Sequence, residues 1–301
     1  MRDIIEILAF HDERVVPNWL YHGYILCDVS KFPLLRNELL NAKKKANCDP
    51  NKRIHFSELR SSSAGSSRTK TAVNWAELFV EKLYQDMWFY FFGINLRNID
   101  YQFFGASSNG QERHFRIYNR FFEIGLFSAC RFFFDPAIED VEILQVFSEK
   151  RDLGETNPFL ILAPYKINQR ETNVVVKSKQ IIQVDGNPLK EKDNSECCDI
   201  INLVDVLIGA ISQALDYTSK SRACTEVSDK LISVCRRLSE TPYNKNSRYY
   251  KRYSMSFFPK SRQSVSTIKN YGTKPPEDQF YSNRTIRLYQ FCIPGFEKLI
   301  G

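Results

Sequence analysis

The sequence predicts an α/β chain, and three observations carry that prediction. Six stretches rich in β-branched and aromatic residues alternate with six segments whose apolar residues recur at spacings of three and four. Polar or turn-forming residues bound each stretch. At 301 residues, with 43% hydrophobic and 14% aromatic content, the chain can bury a sizeable core as one large domain or a domain with an appendage.

The first strand is DIIEILAF, uninterrupted by glycine or proline, and the second is WLYHGYILCDV. Only a short segment containing Pro17 and Asn18 separates them, so an antiparallel hairpin is expected. KFPLLRNELLNAKKKA then reads as an amphipathic helix, and RIHFSEL as a third strand, with a capped helix start at HFSELR as the alternative. SSSAGSSRTK at 61–70 is a Ser-rich, flexible loop of the kind that often borders a site. Beyond it come the helix TAVNWAELFVEKLYQD, the strand WFYFFGINLRN, the helix HFRIYNRFFEIGLFSACRFFF and the strand VEILQVF. NPFLILAPYKINQ as a helix, KQIIQV as a strand, and the helices CDIINLVDVLIGAISQALDY and VSDKLISVCRRLSE complete the pattern. No internal repeat is present.

Several classes are set aside by composition. Charges break apolar runs such as AELFVEKLYQDMWFYFFGINL well before the roughly 18 clean residues of a spanning helix. Acidic residues interrupt MRDIIEIL where a signal peptide needs an apolar segment, so a cytoplasmic location without membrane contact is expected. The eight cysteines contain no C-x-x-C pair, which argues against a zinc site; Cys27 and Cys130 fit small core positions, and the vicinal Cys197 and Cys198 are open to redox chemistry. No G-x-x-x-x-G-K phosphate loop occurs.

Charge divides the chain at about residue 240. Residues 1–239 balance at 31 basic against 31 acidic, whereas residues 240–301 carry 11 Lys and Arg against 4 Asp and Glu. Twelve Tyr and Phe are interleaved with those cations, as in RYYKRYSMSFFPKSR. Such interleaving suits phosphate contacts combined with base stacking, which nominates Arg248, Lys251, Arg252, Lys260 and Arg262 for nucleic-acid binding. The alternative is a basic closing strand and loop, packed on the same domain, whose aromatics are core.

The acidic residues have a pattern of their own. Asp12 and Glu13 follow the first strand, Glu58 follows RIHFS, and Glu149 and Asp152 follow VEILQVF. Asp205 lies inside the helix DIINLVDVLIGAI between Val204 and Val206, where an ionised carboxylate is costly unless paired or bound to metal. Arg151 is its candidate ion-pair partner, whereas Asp199, near the helix start, reads as an ordinary cap. Two carboxylates about 4 Å apart repel by about 4 kcal/mol at an effective dielectric of 20, so convergence of these groups would favour hard cations such as Mg²⁺ or Mn²⁺. A pair of such ions suits in-line phosphodiester hydrolysis.

The succession of a strand into Asp12-Glu13, then YHGYIL, HFSELR, QVFSEKRD and INLVDVLIGAI resembles the RNase H-like family numbered 3800 among the domains of unknown function. The resemblance spans roughly residues 1–220. It implies an RNase H-like mixed central sheet flanked by helices, over residues 1–239, and a two-metal nuclease. The family's Asp-Glu-Ser-Gly motif falls on Asp12, its Glu-Leu-Lys-like motif on Glu58, its middle acidic residue on Glu149 and its helical Asp on Asp205, so these four are the implied catalytic and metal-binding residues. HDERV lacks the family's Ser-Gly, and FSEK has a Ser where an Asp is expected, so Glu149 or Asp152 fills the third position. On an unbroken strand Glu13 points to the face opposite Asp12 and supports the site only from behind. His11 and His55 adjoin these acids as packed residues or proton shuttles. The resemblance also suggests an effector in antiviral defence or a toxin, with nucleic acid as substrate and a protein partner from such a system. A non-catalytic binding or assembly module with structurally paired carboxylates is the alternative.

Overall fold

The computed structural model describes residues 2–98, 110–151, 159–170, 172–216, 220–239 and 251–258. Its centre is β1 (Asp3–Val16), which turns at Pro17 and Asn18 into the antiparallel β2 (Trp19–Asp28) in the register Asp12 opposite Gly23 and Val16 opposite Trp19. A two-residue connection leaves no length for a crossover, so the hairpin follows directly from the sequence.

Helix α1 (Phe32–Lys45) has Pro33 in its first turn, where no amide hydrogen is needed, and lysines in its last turn beside the negative end of the helix dipole. It ends at Asn47, which takes the left-handed conformation that asparagine tolerates. The RIHFSEL stretch is not a strand. Phe56–Leu59 forms a single helical turn, α2, and His55 accepts from the Ser57 amide as its cap. Ile54 and Phe56 are buried at strand-like spacing, but no neighbouring strand pairs with them among the described residues. The Ser-rich stretch is only partly a loop, since Ser66 caps α3 (Ser67–Glu81) by accepting from the Thr69 amide.

The next elements are β3 (Met87–Asn95), α4 (Gly110–Phe133), β4 (Glu139–Glu149), α5 (Phe159–Asn168), the short strands β5 (Val174–Val176) and β6 (Ile182–Val184), α6 (Cys198–Asp216), α7 (Arg222–Ser239) and β7 (Tyr253–Phe258). Among the described residues they complete a mixed seven-stranded sheet in the order β5-β4-β1-β2-β3-β7, with β6 also pairing with β4. β4 runs parallel to β1, and β7 parallel to β3. The aromatic tail thus contributes an edge strand. Tyr253 stacks on Phe79 with ring centroids 4.1 Å apart and donates its hydroxyl to the Phe79 carbonyl.

Helices cover both faces of the sheet. α1, α3, α6 and α7 pack with Phe10, Tyr21 and Ile25 on one face, while α4 and α5 pack with Ala9, Tyr24 and Leu26 on the other. Alternation along β1 and β2 therefore feeds two separate cores. The segment Ser195–Leu215 is long and apolar enough to cross a membrane, contrary to the sequence expectation, and it is wholly buried as the central helix of the first core. The seven described cysteines are buried and form no disulfide with one another. Burial pushes the Cys197 and Cys198 thiols up, Cys198 to about 12, which disfavours the reactive thiolate.

Candidate functional site

Phe10 of β1 and Phe147 of β4 stack at 5.2 Å on the α6 face of the sheet. Two residues further along these parallel strands, strand periodicity brings Asp12 and Glu149 to that same face. Asp205 arrives from the helix above. The approach is close because the residue opposite Asp12 is Gly23: a Cβ there would lie 2.6 Å from Ile208 and 2.9 Å from Val204. The helix itself carries Gly209 against Phe56, where a Cβ would meet the ring at 2.2 Å. Asp12 and Asp205 are each only 4% exposed.

Mutual repulsion follows from this burial. Burial pushes the Asp12 carboxyl well above the usual carboxylate range, and the charges of Glu13, Asp205 and Glu149 push it further. The Glu13 amide, donating to Asp12 Oδ1 at 2.7 Å, opposes that rise. Glu149, with a side chain 14% exposed, is pushed up to about 7, chiefly by burial and against the pull of Arg53, whose Nη2 donates to Oε1 at 2.7 Å. Asp205 Oδ2 accepts the Phe56 amide at 2.5 Å, and its Oδ1 lies 3.4 Å from His55 Nε2. His55 Nδ1 accepts from the Ser57 amide, which leaves Nε2 as the ring nitrogen that faces Asp205.

Glu58 stands apart from this group. It lies on α2, its side chain is 36% exposed, and Arg68 Nη2 holds its Oε2 at 2.7 Å. The HFSELR segment thus reaches Asp205 through His55 and the Phe56 amide rather than through Glu58. Arg14, two residues beyond Asp12 on the same face of β1, covers the Phe56 ring at 5.3 Å and feels the Asp205 charge. Among the described residues, no group of three or more His, Cys, Asp or Glu stands close enough to hold a metal ion. Asp152 lies outside the described residues.

The opposite face holds a second buried polar network. Glu13 binds Arg151 and accepts the Tyr118 hydroxyl at 3.1 Å, with the Arg151 guanidinium 4.1 Å over the Tyr118 ring. Arg151 is therefore the partner of Glu13 and not of Asp205. Beside it His11 bridges Ser148 and His22 at 2.9 Å each, and burial drives both histidines well below their usual pKa. Both are neutral at pH 7, so His11 is a packed residue of this network. Asp199 likewise serves as more than a cap: fully buried Lys43 donates to it at 2.5 Å.

Of the residues nominated for nucleic-acid contact, Lys251 is exposed, and Arg252 stacks 4.3 Å over Trp88 at the start of β7. That edge is three strand spacings from β1, roughly 14 Å. Arg248, Lys260 and Arg262 lie outside the described residues. Arg14 and Arg53 are the residues that motif reading misses, and strand parity with Asp12 is the available signal for Arg14. Comparison with protein-family models, curated proteins and solved structures finds no match to this chain.

Proposed function

We propose that this chain is a nuclease of RNase H-like fold that hydrolyses phosphodiester bonds of nucleic acid with two divalent cations, Mg²⁺ or Mn²⁺. One observation supports the reading: Asp12, from β1, is buried and feels the charges of Glu149 and Asp205, from two other elements, and burial with that repulsion holds its carboxyl up. A cluster that repels itself in a buried setting is stabilised by a cation, and all-oxygen donors suit hard divalent ions. The mixed sheet with helices on both faces supports the RNase H-like part of the proposal.

Asp12, Asp205 and Glu149 are the residues that would hold metal, and because no three such groups stand close enough among the described residues, their side chains would have to close on the ion and Glu149 to leave Arg53. When bound, the cations would stabilise charge on the phosphate and supply an activated water. The Phe56 amide and the His55 ring fix the orientation of Asp205. Arg53, released from Glu149, becomes a donor for phosphate oxygens. Glu58, held by Arg68 at the rim, is a candidate for positioning substrate or a second ion. The basic aromatic tail, with Lys251 exposed, is the candidate strand-binding element.

A second reading is favoured by the pairings themselves. Arg53 on Glu149 and Arg68 on Glu58 are what a non-catalytic binding module would use to neutralise its acids. Cleavage of single-stranded, duplex and hybrid substrates in Mn²⁺ separates the two. The wild type is expected to cut at least one substrate, and Asp12→Asn and Asp205→Asn to lose activity by at least 100-fold. No cutting by the wild type, or full activity in both variants, would refute the nuclease reading.

A further inference from the structure

A cleft of about 370 Å³ opens beside Glu149, at the ends of β4 and β6, within the size range of small-ligand pockets. Arg53, Lys150, Arg151 and Lys190 line it, against the carboxylates Glu149 and Asp185. These side chains sum to two positive charges, one of which is offset by Glu13, the ion-pair partner of Arg151. Both arginines are held by one nitrogen, and each has a second that is unpartnered but occluded, so it would reach a ligand only if the guanidinium turned toward the cleft. Arg53 binds Glu149 through Nη2 while its buried Nε has no partner among the described residues, and Arg151 binds Glu13 through Nε while its buried Nη1 has none. Lys150 and Lys190 make no ion pair among the described residues, yet their backbones are fixed: the Lys150 amide donates to Val184 and the Lys190 amide to Asn187, each at 2.9 Å.

We propose that this cleft binds the terminal phosphate of a nucleic-acid strand. A phosphate monoester carries about −1.5 to −2 charge at pH 7, so these cations attract it more strongly than a singly charged internal phosphodiester, and its three oxygens suit two arginine donors and two ammonium groups. Because Glu149 belongs both to the cleft wall and to the carboxylate group, a bound end would lie next to the proposed reaction site. The identity of the ligand as a strand end rests on the nuclease reading; recognition of a phosphate dianion does not.

The test uses the full-length chain in EDTA, so that no metal-dependent cleavage occurs. Fluorescence anisotropy compares an internally labelled single-stranded oligonucleotide with phosphates at both ends and its twin with hydroxyls at both ends. The phosphorylated strand is expected to bind at least tenfold tighter, equal to about 1.4 kcal/mol. Inorganic phosphate should displace it, and Lys150→Ala/Lys190→Ala, at surface positions whose loss leaves the melting temperature unchanged, should bring the two strands within twofold. Equal binding of the two strands by the wild type, or a tenfold preference kept by the double variant, would overturn the proposal. Binding of inorganic phosphate without any preference between the strands would assign the cleft to the free anion and overturn the anchoring of a strand end. A Mn²⁺ cleavage assay on the same protein separates the two readings. A chain that prefers phosphorylated ends but cuts nothing keeps the cleft and loses the nuclease, whereas one that cuts without the preference loses only the cleft.

Discussion

Glu149→Gln tests whether the carboxylates of the site strain the fold. In the folded chain the Glu149 carboxyl is pushed up from 4.5 to about 7, with burial as the main cause. Between those values the folded state holds a proton that the unfolded state has lost, so stability falls as pH rises from 4.5 to 7 and is level above that. At about 1.4 kcal/mol per pH unit, the interval corresponds to roughly 3 kcal/mol. The side chain is well buried, so little of this is lost to solvent screening. Glutamine keeps the shape and carries no charge. Urea unfolding of wild type and variant at pH 5, 6, 7 and 8, in EDTA, should therefore show the variant gaining roughly 2 kcal/mol on the wild type between pH 5 and 8. Arg53 loses its partner in the variant, which lowers the variant's curve by a roughly constant amount at high pH but leaves the direction of the trend. Parallel curves would refute the view that Glu149 is held protonated by its surroundings.

Two further variants probe how the site is built. Gly23→Ala places a methyl 2.6 Å from Ile208 and must lift α6 from the sheet, so it should cost about 1–3 kcal/mol in urea unfolding, whereas Gly65→Ala, with nothing near its Cβ, should stay within about 0.5 kcal/mol. Lys43→Met leaves the Asp199 carboxylate buried without its cation and should destabilise by about 3–5 kcal/mol, and adding Asp199→Leu should recover most of that; a double variant as unstable as the single one would show that the pair is more than mutual neutralisation.

Periodicity carried much of the architecture. The hairpin of β1 and β2 was legible from the short Pro17-Asn18 connection, and the division of Asp12 from Glu13 was legible because β1 continues unbroken to Val16. The isolation of Asp205 in an apolar helix identified it as a buried carboxylate. What stayed hidden depends on contacts between residues far apart in the chain. Ile54 and Phe56 alternate as in a strand, yet the segment is shaped by the Phe56 amide binding Asp205, 149 residues away. Arg151 stands two residues past Glu149, which on a continuing strand would turn it to the Asp205 face; β4 ends at Glu149, and the chain instead delivers Arg151 to Glu13. Glu58 has the right residue type at the right place in its motif, but α2 turns it toward Arg68.

The carboxylate site is tested most directly by the thermal stability of the full-length chain with and without Mn²⁺. At a Mn²⁺ concentration 100 times the Kd, binding to the folded state alone adds about 2.7 kcal/mol, which for a chain of this size raises Tm by several degrees. The wild type is expected to show that rise and to lose it as pH falls below about 7, where Glu149 takes up its proton. Asp12→Asn and Asp205→Asn should show no rise at any pH. A wild type indifferent to Mn²⁺, or variants that respond as strongly as it does, would contradict the assignment of these carboxylates to metal.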